Sequence, residues 1–210
     1  MKITKIEKIK FKKNMFKVFF ESGENFIVFA DNIVKFGLKT GLTISENDYK
    51  KIISYNQLNE VISAALILVS KRSYSAKNLQ VKLIQKGYDH ESAVRAVKRL
   101  EELNYINDEK FSKNYAAYLS QKGKGEFAIK AEFEKQGIEK SLIINALESI
   151  KTDVEPYEQI IKILQTKFKK FSGKDRGEIR RIASFFLRRG FSSESISRAF
   201  REYKSISLKE

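Results

Sequence analysis

Leu79 to Leu100 reads LQVKLIQKGYDHESAVRAVKRL, and the stretch has two counterparts: Ile129 to Ile150, IKAEFEKQGIEKSLIINALESI, and Ile182 to Tyr203, IASFFLRRGFSSESISRAFREY. They align without a gap on Gly87, Gly137 and Gly190, which lie 50 and 53 residues apart. Eight and four positions before each glycine stand the pairs Leu79 and Leu83, Ile129 and Phe133, Ile182 and Phe186. One position after come Tyr88, Ile138 and Phe191; ten after, Val97, Leu147 and Phe200; thirteen after, Leu100, Ile150 and Tyr203. Nine after, the residue is alanine each time: Ala96, Ala146 and Ala199. A spacing of four puts two side chains on one helix face, and a glycine ends the helix by taking a left-handed conformation just past it. The later positions stripe a second helix. Self-similarity at a fixed period is the mark of a repeat architecture.

Working outward, a further helix precedes each pair, at about Leu58–Ser70, Asp108–Gln121 and Pro156–Phe168. Asp89, Asp108 and one of Ser192 or Ser193 suit helix N-caps, and Pro156, the only proline, suits a first helical turn. Each repeated alanine would let two helices approach closely. The reading is three tandem three-helix units, residues 58–107, 108–155 and 156–210. Residues 1–57 differ. There, Lys8–Phe11, Met15–Phe20 and Asn25–Phe29 are rich in Ile, Val and Phe, with Lys12-Lys13-Asn14 and Ser22-Gly23-Glu24 as turn signals. A three-stranded meander follows, then a helix from an N-cap at Ser45 to about Ser54. Phe19-Phe20 puts bulk on both faces, so something must cover at least one. The fold class is mainly α, tandem three-helix repeats preceded by a small N-terminal β-meander.

The chain has 210 residues, 42% apolar and 32% charged, which suits a packed core and excludes wholesale disorder. It has no cysteine, which excludes disulfides, thiolate nucleophiles and cysteine-ligated metals. The N-terminus lacks the apolar run of a secretory signal, and the run Ala64–Val69 is short of a membrane span. A soluble, cytoplasmic protein is expected, monomeric because stacked units can bury one another's cores.

Forty-one Lys and Arg face twenty-six Asp and Glu, a net charge of +15. Residues 156–210 hold 14 basic and 6 acidic groups, whereas residues 108–155 hold 8 and 9. Concentrating one sign in one repeat predicts a polyanionic or acidic partner. The densest cluster is Lys167, Lys169, Lys170, Lys174, Arg176, Arg180, Arg181, Arg188 and Arg189, interrupted only by Asp175 and Glu178 and interleaved with Phe168 and Phe171. Lys71, Arg72, Lys77, Lys82 and Lys86 form a smaller set in the first unit, and Lys122 and Lys124 sit on a glycine-containing hinge in the second. These are the candidate binding residues. Tyr74, Tyr88, Tyr105, Tyr115 and Tyr118 read as half-buried core groups.

No catalytic constellation emerges. Glu101-Glu102 and Asp108-Glu109 are adjacent on helices, and neighbouring residues point about 100° apart, so such pairs do not readily converge on one ion. Glu132 and Glu134 fit a solvated face. His90 is the sole histidine, and an exposed first-turn position behind Asp89 explains it better than a metal site. Lys122-Gly123-Lys124-Gly125 departs from a phosphate-binding G-x-x-x-x-G-K-[ST] loop, because Glu126 follows Gly125. Neither a metal nor a cofactor is expected.

Lys71-Arg72-Ser73-Tyr74-Ser75 with Leu79, Lys82-Leu83 and Lys86-Gly87 resembles the first-repeat signature of the RecX family. Leu103-Asn104-Tyr105-Ile106-Asn107-Asp108-Glu109 with Phe111 and Tyr115, then Lys124-Gly125 and Gln136-Gly137-Ile138, extend the resemblance over about residues 60–150, and it continues more weakly to 205. Residues 1–55 resemble the β-rich extension of some members. Phe185-Phe186 in the third repeat, and Ser112 where a small alanine is commoner, depart from the pattern. The resemblance implies tandem three-helix repeats and a non-enzymatic regulator of the RecA recombinase. Such a regulator lies in the helical groove of the RecA–single-stranded DNA filament and limits filament extension, ATP hydrolysis and strand exchange. Homologous recombination, DNA repair and the SOS response are the implied setting. The competing reading is an autonomous protein that binds single-stranded or structured nucleic acid; a metal-dependent nuclease would need the converging ligands not found above.

A net charge of +15 on this length implies self-repulsion that salt screens. The melting temperature of the isolated chain is expected to rise as monovalent salt increases from about 0.02 to about 0.2 M, measured by circular dichroism; a flat or falling series would contradict it.

Overall fold

The computed structural model describes residues 1–12, 14–153, 155–169, 171, 173 and 175–206. The chain divides into two compact units: residues 1–72 with 79–105, and residues 73–78 with 106–210.

The first unit opens with an antiparallel meander, β1 (Ile3–Lys8), β2 (Met15–Phe20) and β3 (Asn25–Phe29). The first strand lies earlier than the Lys8–Phe11 expected. Ile3 and Ile6 are three apart, which breaks the period of two, and an irregularity between Ile3 and Lys5 resets the register so that both isoleucines face inward. The inner face holds Ile3, Val18, Phe20 and Val28, all buried, against Ile52 and Tyr49 of the next long helix. Phe20 stacks on Phe26 at 5.4 Å, and Tyr49 meets both rings edge-on. The outer face carries Lys5, Phe19 and Asn25 in one rung and Glu7, Lys17 and Ile27 in the next. A short helix, α1 (Ala30–Lys35), follows β3.

α2 spans Glu46–Val69, so the helices expected at Ser45–Ser54 and Leu58–Ser70 are one, and the division at 57/58 falls inside it. Ser45 caps it, accepting from the Asp48 N–H at 3.1 Å. No glycine or proline interrupts Tyr55-Asn56-Gln57, and Asn56 has a use in the fold. Its side chain accepts from the Phe29 N–H and donates to the Ile27 carbonyl, satisfying the free edge of β3. By length and composition α2 could cross a membrane, with a mean hydropathy of 1.4 over its most apolar stretch. Its apolar character has a local cause: Ile52 sits in the sheet core, while Val61 and Ala65 are buried further along, where α2 packs on α4 (His90–Glu102). α3 (Ala76–Gln85) buries Leu79 and Leu83, and Asp89 caps α4 by accepting from the Ser92 N–H. That bond holds the Asp89 carboxyl below its ordinary pKa.

The second unit contains α5 (Asp108–Gln121), α6 (Glu126–Lys135) and α7 (Lys140–Asp153), then α8 (Pro156–Lys167), α9 (Arg176–Arg188) and α10 (Ser193–Ile206). In each repeat the first helix packs on the third, α2 on α4, α5 on α7 and α8 on α10. The recurrent Ala96, Ala146 and Ala199 are fully buried on those third helices. Ser192, not Ser193, is the cap used, accepting from the Ser195 N–H at 3.0 Å. Asn107, not Asp108, caps α5. Asp108 instead accepts from the Ala76 N–H at 2.8 Å, pinning the start of α3 to the second repeat. Ser112 is buried with no hydrogen-bond partner for its hydroxyl, so the alanine commoner there would fit as well.

Within this unit one joint is made twice. Gly125 donates its N–H to the Arg189 carbonyl at 2.8 Å, and Phe127 donates to the Gly190 carbonyl at 3.0 Å. The first N–H groups of α6, which have no partner inside their own helix, are thus satisfied by the turn after α9. Earlier in the chain the first turn of α3 meets the Gln136-Gly137 turn: Asn78 donates to Gln136 Oε1 at 2.9 Å, and the Lys77 stem lies over Gly137. The Lys122–Gly125 segment, expected to be a flexible hinge, is therefore a packed joint with both glycines buried.

Only glycine fits there. A Cβ on Gly190 would lie 2.2 Å from the Ala128 nitrogen, whereas one on Gly87 would meet nothing within 4 Å, although both residues have positive φ. Gly190→Ala is expected to cost about 3 kcal/mol, the sum of a left-handed penalty and overpacking, and Gly87→Ala about 1 kcal/mol. Urea unfolding of the two variants would check this; equal midpoints would contradict the joint.

Candidate nucleic-acid and protein interface on the third repeat

α9 follows from its sequence with little ambiguity. Asp175 caps it by accepting from the Gly177 and Glu178 N–H groups, and Ile182 and Phe186 are fully buried beneath it. At about 100° per residue, Arg176, Arg180, Arg181 and Arg188 fall within an arc of about 140° on the opposite side. All four are exposed. Arg181 approaches Glu178 at 3.8 Å, while Arg176, Arg180 and Arg188 have no ion-pair partner among the described residues. Lys169 is also exposed, just past α8.

The rest of the cluster is not uniform. Arg189 is half-buried, and its Nη1 donates to the Lys122 and Gly123 carbonyls at 2.9 and 3.1 Å, at the C-terminus of α5. A guanidinium there meets the negative end of the helix dipole. Arg189 and Lys167 both lie over the Phe185 ring, at 4.8 and 4.6 Å, and Phe168 meets that ring edge-on at 5.1 Å. So Phe185, which departs from the family pattern, is the seat for two cations, Arg189 of the joint and the exposed Lys167. Lys122 lies over Tyr118 at 5.6 Å, and Lys124 is exposed beside it in sequence. Lys170 and Lys174 lie outside the described residues.

In the first-repeat set, Lys71, Arg72 and Lys86 are exposed, Lys82 is half-buried and donates to Gln85 at 3.4 Å, and Lys77 lends its stem to Gly137. Tyr74 is buried, Tyr88 and Tyr115 are half-buried, and Tyr105 and Tyr118 are exposed, contrary to the expectation for the last two. His90 is exposed, 3.0 Å from the Gln80 amide. Among the described residues no three His, Asp or Glu side chains form a group able to hold a metal. Four exposed cations of the third repeat lie outside the cluster expected from the sequence, Lys162, Arg198, Arg201 and Lys204, because they are dispersed along α8 and α10. Arg198 lies over Tyr157 at 3.7 Å and donates to Glu202, which raises its pKa further.

Fold and surface together define a tandem three-helix-repeat protein with an arginine-lined outer helix. The description "RecX, third three-helix domain" matches residues 153–200. The regulatory protein RecX of Legionella pneumophila is 32% identical over 151 residues, covering 72% of this chain and 99% of its own. That of Bacillus subtilis is 30% identical over 201 residues, 94% of this chain and 75% of its own. A crystal structure of a regulatory protein RecX has the same fold, with a TM-score of 0.80 at 22% identity over 94% of this chain and 98% of that one. The chain belongs to the RecX family of regulatory proteins.

The two kinds of arginine separate by stability. Arg189→Ala is expected to lower unfolding free energy by about 1–2 kcal/mol, since it removes charge-assisted bonds to two carbonyls. Arg180→Ala should stay within about 0.5 kcal/mol. Urea titration of both variants decides; an Arg189→Ala protein as stable as the parent would mean that its bonds contribute nothing.

Proposed function

We propose that this protein is a non-enzymatic regulator of RecA, acting in the bacterial cytoplasm, that docks on the RecA–single-stranded DNA filament through the outer face of its third repeat. The observation that carries this reading is the set of exposed arginines on α9, three of them with no ion-pair partner among the described residues. Exposed cations gathered on one helix repel one another, and a filament containing nucleic acid relieves that repulsion while steering the encounter. Arginine is suited to the contact because its planar fork grips phosphate or carboxylate in two places. Membership of a family of regulatory proteins supports a binding role, and occupation of the filament groove would restrain extension, strand exchange and ATP turnover together. Repeated units favour the role as well, since contacts to successive filament subunits add through avidity.

The test is RecA ATP hydrolysis on single-stranded DNA, titrated with the parent chain and with a Lys169→Glu, Arg176→Glu, Arg180→Glu, Arg188→Glu variant. Inhibition at well below one molecule per RecA is expected, with the variant needing about tenfold more protein or worse. Inhibition only when the chain saturates the DNA would favour the autonomous nucleic-acid-binding reading. Absence of inhibition would refute RecA regulation by this protein.

A further inference from the structure

The β1–β2 hairpin carries a feature that the regulatory reading does not use. Residues 1–20 hold seven lysines against a single acidic residue, Glu7. At the tip, the Phe11 side chain is 98% exposed, the most exposed large apolar group among the described residues. An isolated exposed apolar residue is ordinary and needs no explanation. Phe11 differs in two respects.

The first is that the tip is built. Ile9 and Met15 close the hairpin with a 3.0 Å bond, and Lys12 donates back to the Ile9 carbonyl at 3.3 Å. Asn14 takes a left-handed conformation, which asparagine tolerates, and its carbonyl accepts from Ala30 at 2.8 Å, tying the loop to the start of α1. The ring is therefore presented by a closed turn. The second is its surroundings. Lys8, Lys10 and Lys12 are exposed and have no ion-pair partner among the described residues, whereas Lys2 and Lys5 pair with Glu21 and Glu7.

We propose that this hairpin tip is a binding site for single-stranded nucleic acid, separate from the third repeat, in which Phe11 stacks on an unpaired base and Lys8, Lys10 and Lys12 contact the flanking phosphates. An aromatic ring set among cations is the chemistry that single strands select, because every base offers a π-face and every linkage a charge. A single strand is favoured over an anionic membrane by area. One ring suffices to stack one base, whereas interfacial anchoring needs a broad apolar face, and the residues beside Phe11 are lysines.

The chain contains no tryptophan, so Phe11→Trp installs a sole indole at the tip of the otherwise unchanged full-length protein. Titration with an oligo-dT strand is expected to quench that indole while affinity is retained. Phe11→Ala should weaken binding of the same strand about tenfold, within the range of one lost stack. Lys10→Ala with Lys12→Ala should reduce the slope of log affinity against log salt by about 1.4. An indole unmoved at saturating oligo-dT, or Phe11→Ala binding like the parent, overturns the proposal. So does an indole that shifts with phosphatidylserine vesicles and not with the strand, which would make the tip a membrane anchor. The indole reports the tip alone, so its silence leaves the RecA titration of the third repeat to stand or fall separately.

Discussion

The second unit depends on a contact between two pieces of backbone. Gly125 and Gly190 meet so closely that a Cβ on either would lie within 2.4 Å of the other side of the joint. That approach lets the turn ending α9 supply carbonyls to the unpaired N–H groups that begin α6. Side chains then close around it. Arg189 reaches the C-terminal carbonyls of α5, and Gln159 of α8 donates to Ser120 Oγ at 2.8 Å. Hydrophobic burial inside each repeat is nondirectional and would tolerate several relative placements of the second and third. The backbone bonds select one, since sliding by a residue would bury donors with nothing to accept them. Gly137 and Gly190 therefore have two duties, stopping their own helix and admitting the first turn of a helix from the preceding repeat.

Electrostatics in the third repeat follows from that geometry. The same run of basic residues contributes groups of two kinds, those turned into the joint and those turned away. Arg189 is held by carbonyls and, with Lys167, by the Phe185 ring, so neighbouring positive charges are compensated locally. Arg176, Arg180 and Arg188, on the far side of α9, receive no such compensation from the described residues. These exposed arginines are the ones on which the proposed contact with an anionic filament rests. The charge of this protein matters by placement more than by total.

The first unit solves a different problem. A three-stranded sheet with one apolar face is too small to stand alone, and α2 covers it with Tyr49 and Ile52 before continuing to Val61 and Ala65. A helix shared by two cores cannot have one apolar stripe, which explains why it lacks a clear amphipathic pattern and has the hydropathy of a membrane span. Asn56, a polar residue in its middle, is there because the edge of β3 needs a donor and an acceptor.

Much of the architecture could be read from residue types alone. The glycines, the alanines nine positions later and the flanking apolar pairs repeat because each unit solves the same packing problem, and local helix rules translate them directly. Asp89 and Pro156 were legible as helix starts for the same reason: capping acts over three or four residues. The tertiary structure decided what depends on partners distant in sequence. Asp108 suited a cap and instead holds Ala76; Arg189, read from the sequence as one more cation of the basic cluster, holds the α5 terminus. The division of α2, the start of β1 and the hinge at Gly123 were misplaced because a bulge, a shared core and a backbone joint leave no periodic trace in sequence. Which lysines and arginines face outward was likewise undetermined, since charge composition is local and exposure is set by whatever else packs against the same helix.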